Sequence, residues 1–289
     1  MERYLKETPM LDFSASSIRA LISERGWDAP DRRYTCAAPD PEKQGMEQED
    51  HICRPGGPVA PDAGCQAEYV QAERCPADCG LDDSSFEKIR SIYDFVRDKI
   101  LFGYNTDDSI PASKVLRDGY GQCNTKGTLF MALLRACGIP CRIHGFTIDK
   151  KLQKGAMTGL VYRSAPQEVF HSWVEVLLED TWYELEAFIL DKAYLQKLQQ
   201  ANSSCTGAFC GYGVAVRDFR NPAIDFNRNS TYIQSEGITQ DFGIYDCPDD
   251  LLKEHHQEMS AAKAFLYRHL GRHLMNRNVK KIRNSLYSS

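Results

Sequence analysis

Cys123 ends the glycine-rich segment GYGQC and precedes a pattern of apolar residues that predicts an amphipathic helix. A sulfur at the first position of a helix faces unpaired backbone N–H groups and the positive end of the helix dipole, and both stabilise a thiolate. Gly119 and Gly121 would let the backbone approach a bound substrate closely. Because the thiolate is the nucleophilic form of cysteine, this position predicts covalent chemistry at Cys123.

A cysteine nucleophile needs a histidine for proton transfer, and that histidine needs an acceptor to orient its ring. Of the seven histidines, only His144 and His171 lie on predicted strands that follow the cysteine helix. His171 alternates with Trp173 in the segment FHSWVEVLL, so both side chains point to one face of that strand. We therefore predict that His171 is the general acid–base and that His144 is a packed residue of the sheet.

The next segment, TWYELEAF, supplies the candidate acceptor. A tight turn before it predicts a hairpin in which Leu178 pairs with Thr181. In that register Glu186 lies diagonally opposite His171 on the same face, at a distance that long side chains can span. The register therefore predicts a carboxylate that accepts the second imidazole N–H.

Neighbouring residues carry weaker signals. Glu184 shares the strand face and Asp191 follows it, so both remain alternatives for the acid. Gln122 precedes the nucleophile and is a candidate oxyanion donor beside the backbone N–H of the cysteine. Trp173 and Trp182 are candidates for the walls of a substrate pocket, although tryptophans in such strands more often belong to the core.

Other elements must position these residues, and periodicity and turn signals predict them. Helices are predicted at residues 16–27, 84–101, 111–119, 123–137 and 193–200, and strands at 139–149, 170–178 and 181–188. A long helix from 248 to about 283 is predicted to end the chain, with a basic face over a packed stripe of Leu266, Leu270, Leu274, Val279 and Ile282. This order predicts the α+β class, with helices packed on an antiparallel sheet.

Together these motifs resemble the transglutaminase-like superfamily, which shares a papain-like arrangement of cysteine, histidine and acid. GYGQC, ACGIPCRI, HSWVEV and WYELE occur in the family's order within residues 86–190. The resemblance implies a nucleophilic Cys123, a general acid–base His171 and an orienting acid at Glu186. The family usually has aspartate at this third position, and glutamate is one methylene longer.

Cysteines are spread unevenly along the chain. Five of the eleven lie between residues 31 and 82, among six prolines and few large apolar residues. This composition predicts a long loop or disordered insertion. His51, Cys53, Cys65, Cys75 and Cys79 form a weak metal-binding pattern. We favour free thiols or disulfides in a loop, because a structural zinc site usually has two tight ligand pairs.

The domain organisation follows from these segments. We expect an N-terminal helical segment at 1–30, the cysteine- and proline-rich insertion at 31–83, a transglutaminase-like catalytic core at 84–200 and a C-terminal extension at 201–289.

Composition limits the function classes. The 289 residues are 42% hydrophobic and 26% charged, and 35 basic against 40 acidic residues give a net charge of −5, which does not favour nucleic-acid binding. No segment approaches the roughly 18 apolar residues of a membrane span, and the N-terminus has no signal-peptide pattern. We therefore expect a cytoplasmic protein with reduced thiols.

The expected reaction is acyl transfer or amide and peptide hydrolysis through a thioester, without a cofactor or a metal. The substrate would be a peptide, a protein or a small amide, and an amine is a possible acceptor. Two alternatives remain open: a non-catalytic binding or scaffold protein that retains the fold, and a metal-dependent interaction module built on the insertion.

Overall fold

The computed structural model describes residues 1–28, 82–257 and 259–285. The helices are α1 (Ser16–Arg25), α2 (Asp82–Asp98), α3 (Ala112–Asp118), α4 (Cys123–Ala136), α5 (Gly159–Ser164), α6 (Lys192–Ala201), α7 (Pro248–Glu254), α8 (Ala261–Leu266) and α9 (Arg272–Asn284). The strands are β1 (Leu101–Phe102), β2 (Tyr120–Gly121), β3 (Cys141–Asp149), β4 (Glu168–Leu178), β5 (Thr181–Leu185), β6 (Phe209–Gly211), β7 (Val214–Val216) and β8 (Ile238–Tyr245). The fold is α+β, as predicted.

A four-stranded antiparallel sheet in the order β5-β4-β3-β8 forms the centre of the molecule. β4 is buried along almost its whole length, because helices cover one face and the segment around residues 226–234 packs near the other. The predicted hairpin is confirmed, since Leu178 pairs with Thr181 and the ladder continues to Val174 opposite Leu185. Glu179 and Asp180 form its two-residue turn with positive φ.

Helix α4 lies in the core between the sheet and α2. Its predicted apolar stripe is confirmed, because Leu129, Phe130, Leu133 and Leu134 are fully buried. The helix is followed by Gly138 at φ 75°, a left-handed position that glycine adopts without strain. Burial on all sides fixes α4, and therefore fixes the position of its first residue.

The terminal helix differs from its prediction. The single helix expected from residue 248 to about 283 is divided into α7, α8, a π-helical turn at Tyr267–Gly271 and α9. Leu266, Leu270 and Leu274 are 56%, 51% and 46% exposed, so this part of the predicted packed stripe is wrong, whereas Val279 is fully buried as predicted. Gly271 and Met275, each one position after a predicted leucine, are buried in this region. The wider π turn changes the phase of the helix, which accounts for the difference before Val279.

Two segments in which the sequence pattern indicates no helix or strand contain regular elements. Residues 150–168 include a 3₁₀ turn and α5, and residues 201–248 include β6, β7 and β8. β8 pairs with β3 at the edge of the sheet and has bulges at Gly145/Phe146 and Thr147/Ile148. Most of its side chains are partly or fully exposed, so it lacks the apolar alternation that would identify a strand.

The insertion predicted at 31–83 lies outside the described residues, except that residues 82 and 83 begin α2. The domain boundaries of the sequence analysis therefore stay a prediction. In the part of the chain that the structure describes, no helix is both long and apolar enough to span a membrane.

Candidate active site

Cys123 is the first residue of α4, where the sequence predicted it. The backbone N–H of Gln122, the N-cap, donates to Oγ1 of Thr125 at 3.1 Å, which fixes the turn before the cysteine. Cys123 is only 9% exposed, and its Sγ lies 4.0 Å from the carbonyl oxygen of Phe170 on β4. The thiol therefore sits where the start of the buried helix meets the strand that carries His171.

His171 and Glu186 are both fully buried, and Nε2 of His171 donates to Oε1 of Glu186 at 2.8 Å. The other carboxylate oxygen, Oε2, accepts the backbone N–H groups of Ile233 at 2.6 Å and Gln234 at 2.8 Å. Three hydrogen bonds thus fix the carboxylate, and the carboxylate in turn fixes the plane of the imidazole.

The second ring nitrogen of His171, Nδ1, has no hydrogen-bond partner among the described residues. Burial lowers the pKa of His171, but the nearby Cys123 thiol and the Glu186 carboxylate raise it to about 10. This imidazole therefore holds a proton at neutral pH when the sulfur is ionised. Because Nε2 is occupied by the acid, Nδ1 is the nitrogen that remains for exchange of a proton with Cys123.

A polar network holds the start of α4 against the loop after β1 and against β4. Gln122 Nε2 donates to Asp108 at 2.8 Å, and its Oε1 accepts the backbone N–H of Asn105 at 2.8 Å. Ser172 Oγ donates to Oδ1 of Asn124, the residue after Cys123, at 2.8 Å. The Gln122 carboxamide, the candidate oxyanion donor, is therefore engaged in positioning the turn.

Sequence reasoning missed Asp108, which lies in the segment GYNTDDS that reads only as a turn. Burial raises the pKa of Asp108, although hydrogen bonds from Gln122 and Asn124 lower it. The only feature of the sequence at this position is the pair Asp107 and Asp108 before a helix. This pair does not predict a contact with Gln122.

The two candidate pocket tryptophans lie in different places. Trp173 is two residues along β4 from His171 and is 7% exposed, with its ring centroid 4.1 Å from that of Phe146. Trp182 pairs with Leu177, about 20 Å along the strand from His171 at the usual rise per residue. The structure therefore brings Trp173, but not Trp182, near the histidine.

The other polar candidates are engaged elsewhere. His144 lies between two carboxylates, with Nδ1 3.1 Å from Glu175 and Nε2 2.8 Å from Asp241. Glu184 accepts a hydrogen bond from the hydroxyl of Tyr232. Asp191, the remaining alternative acid, accepts two hydrogen bonds from Arg283 at 2.6 and 2.9 Å. Of the three carboxylates considered, Glu186 is the one at His171.

Within the described ranges, no group of histidine, cysteine and acidic side chains is arranged to hold a metal ion. The weak metal pattern of the insertion lies outside them.

Comparison with known proteins agrees with this arrangement. The sequence model of the transglutaminase-like superfamily matches residues 77–187, a segment that contains Cys123, His171 and Glu186. Over this segment the chain is therefore similar to the transglutaminase-like superfamily, as the motifs predicted.

The chain also has weak similarity to solved structures. One solved structure, that of a protein from Cytophaga hutchinsonii proposed to be a cysteine protease, is 15% identical with a TM-score of 0.31. The match covers 57% of this chain and 38% of that one, so the chain spans well under half of that protein's length. A search of curated proteins found no match.

Proposed function

We propose that the protein is a cysteine-nucleophile enzyme that transfers or hydrolyses acyl groups, with Cys123 as nucleophile, His171 as general acid–base and Glu186 as the orienting acid. One observation carries this proposal: the buried His171 donates to Glu186 through Nε2, while its Nδ1, which has no geometric hydrogen-bond partner in the described part of the chain, lies near the Cys123 thiol. Most buried polar atoms are hydrogen-bonded, so an imidazole nitrogen left for a neighbouring thiol favours proton transfer over a purely structural role.

The first half-reaction acylates the enzyme. Sγ of Cys123 attacks the carbonyl carbon of an amide, and the carbonyl oxygen becomes an oxyanion. The Cys123 backbone N–H can donate to that oxygen, because helix amides in the first turn have no intrahelical acceptor. His171 gives its Nδ1 proton to the leaving amine, the C–N bond breaks, and a thioester remains.

The second half-reaction releases the acyl group. Water or an amine attacks the thioester while neutral His171 accepts a proton from it, and Cys123 leaves as the thiolate. Water makes the enzyme an amidase or peptidase, and an amine makes it an amide-forming transferase. Exclusion of water around the thioester selects between these outcomes.

The competing function is that of a non-catalytic binding protein, and the near-complete burial of the three side chains favours it. The rate of iodoacetamide labelling at each cysteine, followed by peptide mass from pH 5 to 9, separates the two. We compare the ratio of the Cys123 labelling rate at pH 6 to that at pH 9, because this ratio does not depend on how easily iodoacetamide reaches the buried sulfur. Partly exposed Cys205 is the reference for an ordinary thiol.

We expect a nearly flat profile for Cys123 in the wild type and a steep rise with pH in His171→Ala, because only the ion pair keeps a thiolate at pH 6. A wild-type profile that follows Cys205, with a midpoint near the usual thiol value of about 8.5, would contradict the enzyme proposal.

A further inference from the structure

The main chain of Phe170, the residue before His171, lies on an open edge of β4. β5 pairs with β4 only from Val174 to Leu178, so at Phe170 no described strand is hydrogen-bonded on that side. A buried backbone N–H must find an acceptor, and here the acceptor comes from outside the sheet. This edge therefore offers main-chain groups next to the catalytic histidine.

The side chain of Gln257 occupies this edge. Its Oε1 accepts the Phe170 N–H at 3.0 Å, and the carbonyl oxygen of the same Phe170 lies 4.0 Å from Sγ of Cys123. A carboxamide oxygen and the nucleophilic sulfur thus contact the N–H and the C=O of one residue. An amide carbonyl is also the group that the proposed reaction attacks.

The π-helical turn that follows Gln257 in the chain lies beside the loop that holds the start of α4. The hydroxyl of Tyr267, in this turn, donates to the carbonyl of Asn105 at 3.0 Å. Burial raises the pKa of Tyr267, and the charges of Asp108, Asp107 and Cys123 add to this shift. Gln257 and the described residues 259–271 are called the cover below.

An exposed ion pair holds the cover, whereas a buried ion pair holds the helix α9 that follows it. Arg268 pairs with Asp107 at 2.7 Å, but the two side chains are 51% and 39% exposed, so the pair adds little stability. A cavity of ≈ 610 Å³ lies between Asp107 and the 256–268 segment. By contrast, α9 is anchored by the buried pair of Arg283 with Asp191. The segment around Gln257 can therefore move while α9 stays in place.

We propose that Gln257 is an internal plug, whose carboxamide occupies the position where the substrate carbonyl docks on the Phe170 N–H. The substrate that displaces it is an extended peptide, which continues the β4 edge by main-chain hydrogen bonds. This inference rests on the proposed function. To the proposed function it adds a substrate-binding residue, Phe170, and a competitor of the substrate, Gln257.

The test uses the full-length chain and iodoacetamide as the probe. Gln257→Ala is expected to raise the Cys123 labelling rate at pH 6 by about tenfold, the scale set by loss of one hydrogen bond. Hydrogen exchange at the Phe170 amide should accelerate in the same variant. Gln200→Ala, which changes an exposed glutamine on α6, is the matched control and should leave both rates unchanged. Arg268→Gln breaks only the exposed pair, so it tests the cover without risk to folding and should also speed labelling.

Faster exchange at Phe170 with an unchanged Cys123 rate in both variants would overturn the plug. That result differs from failure of the proposed function, which would appear as an ordinary thiol profile in wild type and variants alike. A peptide that protects Cys123 from labelling more strongly in Gln257→Ala than in the wild type would support competition for one position.

Discussion

Nε2 of His171 lies 2.8 Å from Oε1 of Glu186, although the strand that leads to the acid ends one residue earlier, at Leu185. Glu186 has left the sheet, with φ −116° and ψ −37°. The backbone amides of Ile233 and Gln234 then direct the carboxylate toward the ring. A glutamate, with one methylene more than aspartate, suits a backbone that turns away before it reaches the histidine.

Glu186→Gln should destabilise the fold by about 3 kcal/mol, because one amide group cannot accept from two backbone N–H groups and from His171 as the carboxylate does. The free energy of unfolding from urea titration measures this effect. Glu184→Gln is the matched control, since the Tyr232 hydroxyl can donate to an amide oxygen as well as to a carboxylate. Equal losses of unfolding free energy in the two variants would show that the three hydrogen bonds of Glu186 do not require a carboxylate.

Lys126, one turn after Cys123, is fully buried and donates to the carbonyls of Arg97 at 3.2 Å and Ile189 at 3.0 Å. Burial is the main cause that lowers its pKa to about 7. Between pH 7 and 10 the unfolded chain holds a proton that the folded chain lacks, so this lysine makes stability rise with pH.

In Lys126→Met that contribution is absent. The wild type should therefore gain unfolding free energy relative to the variant as pH rises from 7 to 10, on the order of a few kcal/mol. Urea titrations at pH 7, 8.5 and 10 measure the difference. A constant difference across this range would mean that the lysine keeps its proton in the folded state.

The ion pair of His144 with Asp241 should make the stability of the fold decrease as pH rises, which is opposite to the effect of Lys126. Burial lowers the pKa of His144, but hydrogen bonds to Glu175 and Asp241 outweigh it and the net pKa is raised. Its stabilising contribution is complete below the ordinary histidine value of about 6.5 and is lost as pH rises through the raised value.

Asp241→Asn should therefore cost up to about 1 kcal/mol at pH 5.5 and almost nothing at pH 9, since the aspartate is 60% exposed and the pair is screened. Thermal unfolding at the two pH values measures this. Asp218→Asn removes an exposed carboxylate whose partners, Arg220 and Asn221, do not titrate between pH 5.5 and 9, so its effect should not change over this range. A loss at pH 9 equal to that at pH 5.5 would argue against a charged His144.

The phase of the terminal helix can be tested with two apolar residues. Met275→Ala should cost about 2–5 kcal/mol, because Met275 is 2% exposed and its removal leaves a cavity. Leu270→Ala should change stability by less than about 0.5 kcal/mol, because Leu270 is 51% exposed. The reverse order would restore the packing stripe that the sequence pattern predicted.

Local patterns were sufficient to predict where Cys123, His171 and Trp173 lie in the fold. Turn residues set the hairpin register, strand alternation placed His171 and Trp173 on one face, and a glycine-rich turn before an apolar helix placed Cys123 at the helix start. Each of these signals lies within about a dozen residues, where sequence spacing translates directly into geometry.

Contacts between distant loops could not be predicted in this way. Gln257 reaches Phe170 across 87 residues, and Gln122 reaches Asp108 through side chains that carry no periodic signal. The edge strand β8 is mostly polar and exposed, so no alternation marks it. A π-helical turn changed the phase of the last helix, which leucine spacing alone does not reveal.

The two amides that hold Glu186 lie at residues 233 and 234, beyond the segment that matches the superfamily. On the ribosome, the thiol therefore emerges well before the groups that complete its acid, and Gln257 emerges later still. At ordinary translation speeds, the delay between Cys123 and Gln234 is on the order of ten seconds. During this interval the nascent chain carries Cys123 and Glu186 but lacks the two backbone N–H groups that hold the Glu186 carboxylate in the folded protein.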